Sequence, residues 1–290
     1  MPLPTRDLAL TFAGGGNRSF YQLGLLRVLG ERLLPRVAAI AACSAGACVA
    51  TMLLAGRTEE AHEFWKYRRR HVTRNFDWWR ILARESPAPH GPIYRDTLLH
   101  AFDGGGLDRL RAQPFPILVQ TTGFPRRLPA SLAVALGIGA YSLEKALRKE
   151  MLHPELGRAL GFQSHVFDAR DCETKEELAS LILASSATPP FTPLGSFRGR
   201  SLLDGGIVDN APAALADAAA HVTKNVVLLT RPYPASVLGV RGRRFYLAPT
   251  RAVPIDRWDY TRPDLLEDTI AMGEREAAYF GPKLDAFLNA

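Results

Sequence analysis

Two apolar runs, each ended by a turn of small residues and each followed by helical spacing, occupy Asp7 to Ala55 and limit the folds open to this chain. Asp7 to Ala13 (DLALTFA) reads as a buried strand that stops at Gly14-Gly15-Gly16. From Asn17 to Leu33, the side chains of Phe20, Leu23, Leu25, Leu26, Leu29 and Leu33 can share one broad helical face. Val37 to Cys43 (VAAIAAC) is again continuously apolar, and Ala45 to Ala55 is helix-forming, with Gly56 as its stop. Strand, helix, strand, helix in so short a span predicts a parallel β-α-β-α start, since parallel neighbours need a crossover and both sheet faces are then covered.

Phe115 to Gln120 (FPILVQ), His165 to Ala169 and Val226 to Thr230 (VVLLT) are further strand candidates. Asn210 to Ala220 and Asp264 to Phe280 read as helices. The interleaving continues to the C-terminus without repeat or linker, which predicts one α/β domain over residues 1–290. Three segments interrupt it. Glu59 to Arg84 crowds tryptophans among arginines, Phe124 to Gly161 reads as a mostly helical insertion, and Pro232 to Pro254 is basic and rich in turns. Variable insertions are accordingly expected at about 57–113 and 124–162.

Hydrophobic residues at 47% and charged residues at 22% fit a globular domain with a sizeable core. The net charge of +7 suits an anionic surface but does not choose between phospholipid and nucleic acid. Cys43, Cys48 and Cys172 are too scattered for a disulfide framework or a zinc site and read as buried thiols. The histidines show no metal-ligand spacing, so no metal or cofactor is expected. Met1 to Asp7 has no secretory pattern, and the apolar stretch Leu128 to Leu143 falls short of a membrane span, which predicts a cytoplasmic protein.

Chemistry concentrates at three turns. Ser44 stands between an apolar run and a helical one, flanked by Ala45-Gly46; a serine there either caps a buried helix or lifts its hydroxyl above the sheet as a nucleophile. A helix start beside it would favour the anionic form. Gly14 to Gly16 can turn backbone N–H groups toward one point, an anion site, with Arg18 placed to hold the loop. A nucleotide-binding loop is the rival, but the Rossmann fingerprint has Ser19 where a glycine is needed, and the P-loop Gly-Lys-Ser/Thr is missing. Asp204, followed by Gly205 and Gly206, is either a turn aspartate or a carboxylate at a strand end, where partial burial would raise its pKa toward that of a useful base. His221 follows in the order of a Ser–Asp–His triad but reads as a surface residue at a helix end.

Taken in order, Gly14-Gly15-Gly16-Asn17-Arg18, Ser44-Ala45-Gly46 and Asp204-Gly205-Gly206 resemble the motifs of the patatin-like phospholipase family. Ala184 to Pro190 and Val208 to Pro212 support the likeness, which runs from Leu8 to about Arg231. The resemblance implies a three-layer α/β/α sandwich with a mostly parallel sheet. It also implies a lipid acyl hydrolase in which Ser44 is the nucleophile, Asp204 the base, and Gly14, Gly15 and Gly16 the oxyanion hole. Arg18, Gly46, Gly205 and Gly206 support that site. The implied substrate is a lipid or other acyl ester. The basic and tryptophan-rich segment leaves peripheral contact with an anionic membrane open, and with no recognised nucleic-acid module beside it no nucleic acid is expected.

Ala13, Ser19 and Ala42 depart from the family pattern. Ala13 and Ala42 keep open a second class of function, a non-catalytic lipid-binding or scaffold protein on the same fold. Leu132, Val134, Leu136, Ile138, Tyr141 and Leu143 are too apolar for a solvated helix and either line a lipid groove or cover the core. Trp65, Trp78 and Trp79 among basic residues suit a headgroup interface, or else pack inward.

Overall fold

The first two apolar runs form adjacent parallel strands, β1 (Leu8–Phe12) and β2 (Val37–Cys43), joined through helix α1 (Phe20–Leu33). These and all following elements come from a computed structural model that describes residues 6–82, 85–125, 128–147 and 152–290. The first five residues read for a leader, the end of the basic segment at 83–84, and positions 126–127 and 148–151 of the second insertion lie outside the described residues. A single 3-10 turn, Gly16–Ser19, precedes α1, so the regular helix starts later than the spacing predicts.

After β2 the chain enters α2 (Ser44–Leu54) directly. The first insertion then supplies α3 (Thr58–Arg69), α4 (Trp78–Leu82), α5 (His90–Phe102) and α6 (Gly106–Arg111). Strand β3 (Ile117–Gly123) leads into the second insertion, with α7 (Ala130–Leu147) and α8 (Leu156–Ala159). Strand β4 (Gln163–Asp168), helix α9 (Lys175–Ser185) and the hairpin strands β5 (Gly195–Phe197) and β6 (Arg200–Asp204) follow. The remainder comprises α10 (Ala213–Asp217), β7 (Lys224–Leu228), β8 (Gly239–Arg241), β9 (Arg244–Leu247) and α11 (Asp264–Asn289).

One mixed sheet runs in the order β5-β6-β3-β2-β1-β7-β9-β8, with β4 also on β3. Its centre, β3-β2-β1-β7-β9, is parallel. Alternation along the strands decides the layers. Leu8, Leu10, Phe12, Ile40 and Ala42 belong to the larger core, which α1, α2, α5, α9 and α11 cover. Ala9, Ala39 and Ala41 face the other way, and their small side chains let α10 lie close. This is the α/β/α sandwich with a mostly parallel sheet that the sequence leads one to expect.

Three elements differ from the reading of the sequence. The helix predicted over Asn210 to Ala220 shrinks to Ala213–Asp217, because Asp209 and Asn210 are held in loop hydrogen bonds and Pro212 has no N–H to contribute. The turn-rich Pro232 to Pro254 stretch contains a hairpin whose β9 extends the parallel sheet beside β7. The last helix runs to Asn289, through Pro282.

The basic and aromatic segment divides. Trp65 and Arg69 turn inward, where Arg69 Nε donates to the Tyr260 carbonyl at 3.1 Å and Trp65 packs edge-on to Phe20. Trp78 and Trp79 are 72% and 73% exposed.

Candidate active site

Register on β3 brings the two chemical turns together. Cys43, the last residue of β2, pairs with Gln120, and Asp204, the last of β6, pairs with Thr121. Because β4 occupies the opposite edge over Leu118 to Gly123, β2 and β6 share one edge and meet end to end. Ser44 and Asp204 therefore fall at one level above the sheet. Ser44 Oγ donates to Asp204 Oδ2 at 2.6 Å.

Each partner is held in place. Ser44 has φ of 53°, a left-handed value that a serine adopts only under constraint from its surroundings. The constraint is visible. Its N–H donates to Ser185 Oγ at 2.8 Å, and that hydroxyl donates to the Gln120 carbonyl at 2.6 Å. Gly46 lets the first turn of α2 cross the end of β1, where an added Cβ would meet the Phe12 and Ala13 carbonyls within 2.7 Å. The strained position is thus the serine itself, and Ala42 keeps ordinary strand geometry two residues earlier.

Asp204 Oδ1 accepts from the Gly206 N–H at 2.7 Å, and Thr188 Oγ1 donates to Oδ2 at 3.3 Å. Gln120 Nε2 ties down the following loop by donating to the carbonyls of Gly205 and Asp209, at 3.0 and 2.7 Å. Desolvation raises the Asp204 carboxyl above the ordinary aspartate value. The Ser44 hydroxyl, the Gly206 N–H, the Arg257 charge and Thr188 oppose that rise and do not cancel it.

The glycine turn lies against this pair. Gly14 donates its N–H to the Asn210 carbonyl at 3.0 Å, so that N–H is already taken. Its own carbonyl accepts from Asn210 Nδ2 and Thr230 Oγ1, and Arg18 Nε donates to the Gly15 carbonyl at 3.3 Å. The N–H groups of Gly15 and Gly16 find no acceptor among the described residues, and both residues line the cavity above Ser44. Gly16 has φ of +58°, and an added Cβ there would strike the Arg257 carbonyl.

That cavity measures about 490 Å³. Ser44, Asp204 and the two glycines form one end; Ile138, Ile207, Phe191 and Trp258 supply apolar walls. Of the apolar set predicted on the second insertion, Ile138 and Tyr141 line the cavity and Val134 and Leu136 pack against a small core with Phe162 and Leu203. Leu132 and Leu143 are exposed. That helix therefore lines the cavity with one set of residues and covers a small core with another.

His221 is exposed and lines none of the cavities around Ser44. Folding does bring ligand atoms of His62, Glu63 and Glu267 within 4.8 Å of one another, but Lys66 Nζ already donates to both carboxylates, at 3.0 and 2.8 Å. Gln120, Ser185 and Thr188 hold the pair, and the sequence reading gave them no role. The latter two lie in the Ala184 to Pro190 stretch it singled out. Arg257 and Trp258 belong to a loop with no pattern that marks it.

A family model described as patatin-like phospholipase matches residues 10–217. No curated protein matches the sequence. Among solved structures, VipD from Legionella pneumophila aligns with a TM-score of 0.45 and 12% identity over 98% of this chain and 67% of its own.

The raised Asp204 pKa has a stability consequence. Ionised Asp204 costs folding free energy at pH values above the unfolded carboxyl pKa of about 3.9. Asp204→Asn is therefore expected to gain stability over wild type at pH 7, and the gain is expected to shrink as pH falls and the buried carboxyl takes up its proton. Urea denaturation between pH 7 and pH 4 measures this; a gain that widens toward low pH contradicts it.

Proposed function

Since the chain belongs to the patatin-like phospholipase family, whose general activity is lipid acyl hydrolysis, we propose that it is a serine esterase cleaving carboxylic esters of lipids through an acyl-Ser44 intermediate. The observation that carries this reading is the 2.6 Å hydrogen bond from Ser44 Oγ to Asp204, at the end of an apolar cavity. Asp204 takes the Ser44 proton as the hydroxyl attacks the acyl carbonyl, and returns it to the leaving alcohol. Water then attacks the acyl-serine, giving its proton to Asp204, which passes it to Ser44 Oγ as the acyl–Oγ bond breaks and the fatty acid departs.

Gly15 and Gly16 N–H groups are the proposed oxyanion donors, a role worth about 10²–10³ in rate per donor. Gly14, whose N–H is engaged, anchors the turn instead. The acyl chain lies along Ile138, Ile207 and Phe191.

No helix among the described residues is long and apolar enough to cross a membrane. The proposed location is the cytoplasm, with peripheral contact to anionic membrane through exposed Trp78, Trp79 and Leu82 beside Arg74 and Arg80. Replacing both tryptophans by alanine is expected to reduce flotation with anionic vesicles; undiminished flotation removes this contact.

The alternative, a lipid binder without turnover, is tested on the same protein. Ser44→Ala and Asp204→Ala are each expected to cut ester hydrolysis by at least about 10³, with unchanged circular dichroism. A fluorophosphonate probe is expected to label wild type at Ser44. The acid limb of the wild-type kcat/KM profile is expected above the ordinary aspartate value. Full turnover in either variant contradicts the mechanism, and an unlabelled, inactive wild type favours the binder.

A further inference from the structure

Ser44 lines a second, smaller niche as well as the main cavity, and Gly16, Arg257 and Trp258 are common to both. Trp65, His90, Tyr94, Ser186 and Thr192 line the niche and not the cavity. Most of their polar groups are engaged. The Tyr94 hydroxyl pairs with Ser186 Oγ at 3.2 Å, and Thr192 Oγ1 donates to the Ser186 carbonyl and accepts from the Thr188 N–H. Two are not. Trp65 Nε1 and His90 Nδ1 are buried with no partner among the described residues, on residues 4% and 1% exposed.

These two atoms are complementary. An indole Nε1 can only donate. His90 Nε2 lies 2.9 Å from the Trp258 carbonyl, an oxygen that only accepts, so Nε2 carries the ring hydrogen and Nδ1 presents a lone pair. Burial, with the Arg69 charge adding to it, outweighs the Trp258 carbonyl and Asp259 and pushes the His90 pKa down to about 4; the lone pair persists at neutral pH. One buried donor and one buried acceptor are satisfied together by a single water molecule, and such polar sites are where proteins hold internal water. The niche measures about 30 Å³, room for a water but not for the alcohol half of a lipid.

We propose that this niche holds the water that hydrolyses the acyl-serine, with Trp65 and His90 as its positioning residues. This rests on the reading of Ser44 and Asp204 as an acyl-hydrolase pair. An acyl chain seated along Ile138 and Phe191 displaces solvent from the main cavity, so deacylation needs a water from a space that the chain does not fill. Accepting from Trp65 Nε1–H and donating one hydrogen to His90 Nδ1 leaves the water one lone pair and one hydrogen. The lone pair attacks the acyl carbonyl on Ser44. The remaining proton goes to Asp204, and from there to Ser44 Oγ as the acyl–Oγ bond breaks. Attack of Ser44 on the substrate ester uses neither residue, so the niche serves the second half-reaction alone.

Pre-steady-state kinetics with an activated nitrophenyl ester separates the two half-reactions. Wild type is expected to release a burst of nitrophenol and then turn over at the slower rate of deacylation. Trp65→Phe keeps an aromatic ring in place and loses the donor. His90→Gln can still reach the Trp258 carbonyl with an amide N–H and loses the lone pair at the Nδ1 position. Each variant is expected to keep the burst rate within about threefold of wild type and to slow deacylation at least about tenfold, so that kcat and KM fall together and kcat/KM is held. His90→Asn, whose amide oxygen reaches the Nδ1 position, is expected to recover part of the lost rate. Burst and deacylation rates that fall in equal proportion, or deacylation unchanged in both variants, overturn the proposal. Should His90→Gln fail to fold, Trp65→Phe decides. A high-resolution crystal structure is expected to show water within hydrogen-bonding distance of both Trp65 Nε1 and His90 Nδ1; a dry niche overturns the proposal whatever the kinetics. Wild type that forms no acyl-enzyme, with water seated on both atoms, removes the hydrolase reading and with it the use proposed for that water.

Discussion

Because β2 and β6 run toward each other along one edge of β3, the turn after each strand lands at the same level of the sheet, and a serine and a carboxylate 160 residues apart become neighbours. The hydrogen-bonding capacity of β3 at that level goes into holding the meeting point. The Gln120 carbonyl accepts from Ser185, which in turn accepts the Ser44 N–H, while the Gln120 side chain binds the loop after Asp204. One buried glutamine thus fixes both turns. The left-handed backbone of Ser44 and the desolvated carboxyl of Asp204 are costs that this scaffold supports.

The glycine turn is divided by the same logic. Asn210 closes on Gly14 from both sides, accepting its N–H and donating to its carbonyl, and so joins the first turn to the loop that carries Asp204. With Gly14 anchored and Arg18 gripping the Gly15 carbonyl, the N–H groups of Gly15 and Gly16, residues that line the cavity, find no acceptor among the described residues. An unpaired donor pair beside a serine held against a carboxylate is the arrangement that acyl transfer uses. The proposed chemistry follows from it without any histidine.

Much of this was legible in the sequence, for identifiable reasons. The two apolar runs with their small-residue turns predict the parallel centre of the sheet because local patterning alone sets those elements. Ser44, Asp204 and the glycine turn stand out because each breaks a hydrophobic pattern with a residue that the pattern does not need. Gln120 was hidden, since at the end of FPILVQ it reads as the polar close of a strand, and its part depends on antiparallel partners far along the chain. The division of labour among the three glycines was equally hidden, because it is set by Asn210 and Thr230 across the sheet. Arg257 and Trp258 sit in an irregular loop whose sequence shows no period, and tertiary packing alone brings them to the cavity.

The most direct measurement of the central claim is peptide mapping by mass spectrometry of protein quenched during turnover of a slowly deacylating ester. An acyl group on Ser44 in wild type, absent in Asp204→Ala, is the predicted result. Turnover with the acyl group on another residue, or Ser44 acylated equally well without Asp204, would contradict the account.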